Sequence, residues 1–442
     1  MQESHSRGRR PSRSLGPRTP PATMREIVIT GLGVVSPIGV GLEAFGEQLH
    51  AGLSGIRPIE AFDPSALEVG FGGQIVDFDP KLYVRPRKSL KVMSREICFG
   101  FAAADLAMVD AGLPAGSVEP DRFGVVFGSD MIYADTHDLE GSYRRCIHEG
   151  RFDFTRWADA AADELHPLWL LKLLPNMTAS HIAIAQDARG PNNTIVLGDV
   201  SSLLAIAEAA SVIRRGWADV MITGGTGCRL DPTAIVARGE CQLSHRRDDC
   251  RRASRPFDRD RDGMVNGEGA GAIVLESLEH AMRRGARIHG RLLSVVARHE
   301  PVPHGGSIEG RGLRAAIRGA LAVADLEPHE IGHVNAHGLG TVEMDRIEAG
   351  AIRAELGDVP VTAFKSRFGH LGAGGGTVEL AASLLDLGRG DVLPTLNFET
   401  ADPACPVQVV HGEPLTGRPP VALAVNLSST GQAAAVAVAA DA

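Results

Sequence analysis

No apolar run in this 442-residue chain approaches the roughly 20 residues that span a bilayer, so no transmembrane helix is expected. An excess of positive charge is missing too: 45 Lys and Arg stand against 54 Asp and Glu, a formal net charge of −9. That balance argues against nucleic acid as a partner, because phosphate binding needs a basic face. Lysine is scarce (Lys81, Lys88, Lys91, Lys172 and Lys365) while arginine is abundant. The six cysteines (Cys98, Cys146, Cys228, Cys241, Cys250 and Cys405) are scattered without metal-ligand spacing, and no nucleotide motif is present, so no cofactor is expected. With no signal peptide the cysteines read as reduced thiols of a cytoplasmic protein.

No linker divides the chain, although its length would allow two or three average domains. Two similar halves fused through one core fit better. The boundaries read as an extension at 1–23, a first half at 24–280 and a second at 281–442. The extension is rich in Arg, Ser and Pro, has Glu3 as its only acid and lacks apolar periodicity, so it is expected to be disordered. A transit peptide shares some of that composition but would need amphipathic spacing, and Met24 is a candidate true start.

Val28-Ile29, followed by glycines at 31 and 33, reads as a buried strand and a tight turn. Residues 96–111 have helical apolar spacing, 123–128 and 218–225 are short apolar strands, and 202–216 is an Ala-, Leu- and Ile-rich helix. Further on, 286–296 reads as a strand, 312–324 as a helix and 332–336 as a strand. Alternation of this kind indicates an α/β protein with parallel sheets covered by helices.

Four segments carry chemistry. Residues 190–203 run Gly-Pro, a short apolar stretch, then Gly198-Asp199-Val200-Ser201-Ser202 and a helix. Arg255 to Gly271 reads RPFDRDRDGMVNGEGAG, Val334 to Thr341 reads VNAHGLGT, and Lys365 to Gly376 reads KSRFGHLGAGGG. Together with the opening MREIVITGLGVVSPIG at 24–39, these segments resemble the β-ketoacyl synthases, the condensing enzymes of fatty acid and polyketide assembly. The resemblance spans about residues 24–442. It implies a thiolase-like five-layer αβαβα fold of two pseudo-repeated halves, an acyl carrier protein as partner, and a homodimer or a heterodimer with a Cys-containing ketosynthase. An acidic carrier would need a local basic patch. The pairs Arg246-Arg247, Arg251-Arg252 and Arg283-Arg284 are candidates, and solvated surface charge is the plainer reading of each.

In that family a cysteine at the start of a buried helix takes the acyl chain as a thioester, and the helix dipole and an imidazole favour its thiolate. Two histidines hold the carbonyl of the malonyl extender, and backbone amides stabilise the oxyanion. The resemblance places the histidines at His337 and His370, and at Lys365 the lysine that supports the second histidine. At the cysteine's position it places Asp199, a weak acyl acceptor whose anhydride would be far more labile than a thioester. Asp at a helix start is also a good N-cap, which would need no chemistry. Changes surround the acyl-transfer machinery: Gly338-Leu339-Gly340-Thr341 after the first histidine, Phe368 before Gly369-His370, and a C-terminal loop with Thr430 and Gly431 but without the family's phenylalanine gate. Thr341, Phe368, Thr430 and Gly431 are therefore the expected substrate-binding positions.

Three functions remain open. The foremost is a non-condensing subunit similar to a chain-length factor, which pairs with an active ketosynthase and shapes its cavity. The second is an enzyme that decarboxylates malonyl-carrier protein, like relatives with glutamine at this position. It would require burial to keep Asp199 protonated, since a carboxylate opposes the developing enolate. In the third, Asp199 is a general base in acyl transfer or C–C bond formation without a covalent intermediate.

Overall fold

Alternate residues of the central strands feed different cores, and that two-residue period organises the molecule. The computed structural model describes residues 25–302 and 306–441; the extension at 1–23 lies outside the described residues. The first half runs β1 (Ile27–Ser36), α1 (Arg95–Asp110), β2 (Phe123–Ser129), α2 (Met177–Gln186), β3 (Asn192–Val196), α3 (Ser201–Arg214), β4 (Val220–Cys228) and β5 (Glu268–Ser277). The second repeats that order with β6 (Gly290–His299), α4 (Arg311–Ala324), β7 (His333–Asn335), α5 (Val342–Leu356), β8 (Pro360–Thr362), α6 (Gly375–Arg389), β9 (Val421–Leu427) and β10 (Gln432–Ala439).

Strand order repeats as well. The first half is ordered β3-β2-β4-β5-β1 and the second β8-β7-β9-β10-β6. In each, the last two pairings are antiparallel and the first two parallel. The halves join where β1 meets β6 at Val28–Arg291 and Ile29–Gly290. This is the pseudo-repeat that the amino-acid sequence alone does not display.

Five layers result: α1 and α2, the first sheet, α3 and α6, the second sheet, then α4 and α5. Ile273 and Leu275 of β5 face the core around α3 and α6, while Ala272 and Val274 face the core under α1. In β10, Val436 and Val438 enter the same central core, and Ala435 and Ala437 enter the one under α4. Because both sheet faces are covered, these strands read as continuous apolar runs rather than alternating ones.

The expected turn at glycines 31 and 33 is corrected: β1 runs straight through them with one register shift between Ile29 and Gly31. These glycines admit a neighbour instead. A methyl on Gly33 would sit 1.9 Å from the Ala103 carbonyl oxygen of α1. Gly33→Val is accordingly expected to force α1 off the sheet and to cost upwards of about 3 kcal/mol, measured as a lowered urea midpoint with an unchanged slope.

Candidate functional site

Both central helices begin at the same place. Asp199 lies in a short 3-10 turn, 198–200, that leads into α3, and a matching turn at 372–374 leads from His370 into α6. His337 follows β7, which parallel pairing holds between β8 and β9. A methyl on Gly376 would sit 2.3 Å from Asn426 Oδ1 and 2.8 Å from Ser202 Oγ, so only glycine lets the two helix starts and β9 meet this closely.

His337 and His370 are buried with ring centroids 5.8 Å apart and planes at 85°. Asp199 Oδ1 lies 2.9 Å from His370 Nε2 and 3.0 Å from Arg229 Nη2, while Oδ2 lies 3.8 Å from His337 Nε2. Behind His337, Lys365 Nζ approaches Nδ1 at 3.2 Å and donates to Glu379 Oε1 at 2.5 Å. Asn426 Nδ2 also reaches Nδ1 at 3.2 Å. Two donors on Nδ1 put the ring proton of His337 on Nε2, aimed toward Asp199. Glu348 fixes the backbone, accepting from the N–H groups of His337 at 2.6 Å and Gly338 at 2.8 Å.

Burial pushes the His370 imidazole down to about 4, helped by the Arg229 charge, against the opposing pull of Asp199. Burial and then the Lys365 charge hold His337 well below its ordinary value. For Asp199, burial favours the neutral acid, but His370, Arg229 and His337 outweigh it and keep the carboxyl well below the usual carboxylate range. At neutral pH the site therefore holds a carboxylate and two neutral imidazoles. Burial does not protonate Asp199, which corrects the condition that the decarboxylase reading needed.

Above the site opens a cavity of about 580 Å³, lined among others by Asp199, Arg229, Thr341, His370 and Ser429. Thr341 Oγ1 is buried there without a hydrogen-bond partner. Cys241, at its exposed rim, is the one cysteine on the lining. Phe368 is not on the lining; it is fully buried against Phe45, with ring centroids 6.5 Å apart, because it points into the central core. Thr430 and Gly431 form the β9–β10 turn instead of the lining. Thr430 bonds Gln432 within the turn and Gly431 packs on the Glu300 carbonyl, so Ser429 is the loop residue that reaches the cavity.

Two further readings change. Asp199 caps nothing: α3 starts after Val200, and the Asp199 side chain turns to Arg229 and His370. Lys365 is 2% exposed, and it supports His337, the first histidine, rather than His370. Arg229, Glu348, Glu379 and Asn426 went unnoticed in the sequence. Their signal is a polar residue at the end of an apolar strand (Arg229, Asn426) or on an apolar helix face (Glu348, Glu379).

A two-fold repeated five-layer fold, with paired imidazoles where the central helices begin, defines a thiolase-like protein. The beta-ketoacyl synthase N-terminal domain model matches residues 24–281 and the C-terminal domain model residues 293–399. The chain belongs to the beta-ketoacyl synthase family. It is 35% identical over 400 residues to a 3-oxoacyl-[acyl-carrier-protein] synthase 2 of Synechocystis sp., covering 88% of this chain and 92% of that protein. It is similar to the solved ishigamide ketosynthase/chain length factor, with a TM-score of 0.80 and 28% identity, covering 95% of this chain and 100% of the other. It also resembles a chain of a type II PKS acyl-carrier protein in complex with its ketosynthase bound to the hexaketide, with a TM-score of 0.79, 27% identity and the same coverage.

Because His370 titrates near 4 when folded and near 6.5 otherwise, the unfolded chain binds more protons between those values. Stability is thus lost as pH falls through that window. Urea unfolding at pH 7 and pH 5 is expected to show the loss, and His370→Gln to reduce it by up to about 2 kcal/mol.

Proposed function

We propose that this chain is a non-condensing subunit, similar to a chain-length factor, that pairs with a cysteine-bearing ketosynthase in carrier-protein-dependent polyketide or fatty acid synthesis. The observation that carries the reading is the charged Asp199 between two neutral imidazoles, clamped by Arg229 at 3.0 Å. A carboxylate there is no useful acyl acceptor. It lies 2.9 Å from the His370 nitrogen that would otherwise face a thioester carbonyl, and it would repel the carboxylate of a malonyl group.

Pairing has its own support. β3 is the edge of the first sheet, and its outer backbone groups have no strand partner among the described residues. Val196 and Leu197 at its end are 45% and 43% exposed, and Ile184 on the adjoining α2 is 72% exposed. An edge strand beside exposed apolar side chains invites a second chain. The relatives solved as a ketosynthase/chain length factor and with an acyl-carrier protein supply the partner classes. Four of the six arginines in the candidate pairs already have partners within the fold. Arg284 is bound to buried Glu276, Arg252 to Glu399, and Arg246 and Arg247 to backbone carbonyls.

Decarboxylation of malonyl-carrier protein is the second reading, favoured by one observation: the Nε2 atoms of His337 and His370 are both buried with no hydrogen-bond partner. Incubation of the purified chain with malonyl-carrier protein separates the two. An unchanged carrier mass is expected, with Asp199→Gln converting the chain into a decarboxylase by removing the charge. Carbon dioxide loss by the unaltered chain that disappears in His337→Ala would establish the second reading. Co-expression with a cysteine-bearing ketosynthase from the same gene neighbourhood is expected to yield a heterodimer on size exclusion. Val196→Asp should abolish that heterodimer without changing the melting temperature of the isolated chain.

A further inference from the structure

Arg229 follows directly on β4, with its backbone N–H donating to the Gly267 carbonyl at 3.0 Å. The residue is 8% exposed, and its stem lies beside Gly372 in the turn that leads to α6. Its Nη2 meets Asp199 Oδ1, the same oxygen that lies 2.9 Å from His370 Nε2. The other charged or titratable groups around that carboxylate are His337 after β7, His370 before α6 and, one layer back, Lys365. Lys365 is already committed to Glu379 and His337. Arg238, which lines the same cavity, is bound to Asp130 at 2.6 Å. Arg229 is therefore the cation in direct contact with Asp199.

We propose that Arg229 is a positioning residue that silences the histidine pair: its guanidinium keeps the Asp199–His370 pair free of an added proton and the carboxylate turned onto His370 Nε2, away from use by a thioester carbonyl. The silencing rests on the non-condensing reading; the electrostatic part does not. Burying an unpaired carboxylate among neutral imidazoles is unfavourable. Without Arg229 the Asp199–His370 pair takes up a proton from solvent, on the carboxyl or on the imidazole, because the two titrate as one unit. The direction of the Asp199 shift, for which the Arg229 charge is among the leading causes, agrees with this.

The test compares the full chain with Arg229→Gln and Arg229→Lys at pH 7. Infrared difference spectra against the matching Asp199→Asn proteins report the carboxyl, and imidazole nitrogen NMR reports His370. The unaltered chain and Arg229→Lys are expected to show a carboxylate and a neutral imidazole, and Arg229→Gln one added proton on the pair. A carboxylate beside a neutral imidazole in Arg229→Gln would overturn the proposal, with the Lys variant showing that the site still folds. Malonyl-carrier protein decarboxylation is followed in parallel and should rise at least about tenfold in Arg229→Gln. A proton gained with no rise would overturn the silencing role. Decarboxylation already present in the unaltered chain would sink the non-condensing reading, while the spectra still decide what Arg229 does to Asp199.

Discussion

Two helices buried on both faces must start at one point, and the rest of the architecture serves that requirement. α3 and α6 form the middle layer, each touching strands of both halves; α6 is buried through most of its length, and α3 leaves the stripe of Leu204, Glu208, Ser211 and Arg214 partly exposed. Their first-turn N–H groups lack intrahelical partners and carry partial positive charge. Buried polar residues stand at this end: Ser201 beside the partly buried Asp199 at one start, Lys365 and His370 at the other. Repetition of one β-α-β-α-β-α-β-β unit brings the two starts together with few specific contacts, because equivalent elements of the two halves occupy equivalent positions. The glycine at 376 then sets how closely they approach.

The chemistry follows from charge in that dry setting. An imidazole pair kept neutral by burial offers N–H donors; a carboxylate is set against it, 2.9 Å from His370 Nε2. Arg229 decides which state the carboxylate adopts, and Lys365 and Asn426 decide which way the His337 proton points. One cavity thus combines a functional donor arrangement with an anion that competes for it. The proposed non-condensing role rests on that competition rather than on the absence of any catalytic side chain.

Much of this was legible in the amino-acid sequence, and what was not has identifiable reasons. The family, the two histidines and Lys365 were readable because each sits in its own motif. The repeat was not, since the halves share topology and burial while their loops and side chains differ. Gly31 and Gly33 read as a turn because glycine marks turns and close approaches alike, and only the neighbouring Ala103 carbonyl distinguishes them. Asp199 read equally as a cap because spacing says nothing about the direction of a side chain; Arg229, 30 residues further on, supplies the competing partner. Phe368 was expected at the cavity on motif position, but its ring enters the core, one rotation of a short helical turn away from its neighbours.

The network behind His337 has a historical consequence. Lys365, Glu379, Asn426 and His337 Nδ1 bond one another in the interior, and Glu348 ties the backbone of His337. Losing any single member strands the others without partners, at a penalty of about 1–3 kcal/mol per group and more for a charge. Such a cluster behaves as a ratchet: it can be acquired for catalysis and then outlive it, because each one-step path out crosses an unstable intermediate. Asp199, at the open edge of the cluster and 15% exposed, stands outside this network and is held instead by Arg229 and His370. The presence of such a histidine cluster therefore reflects the mechanical cost of dismantling it as well as any present use.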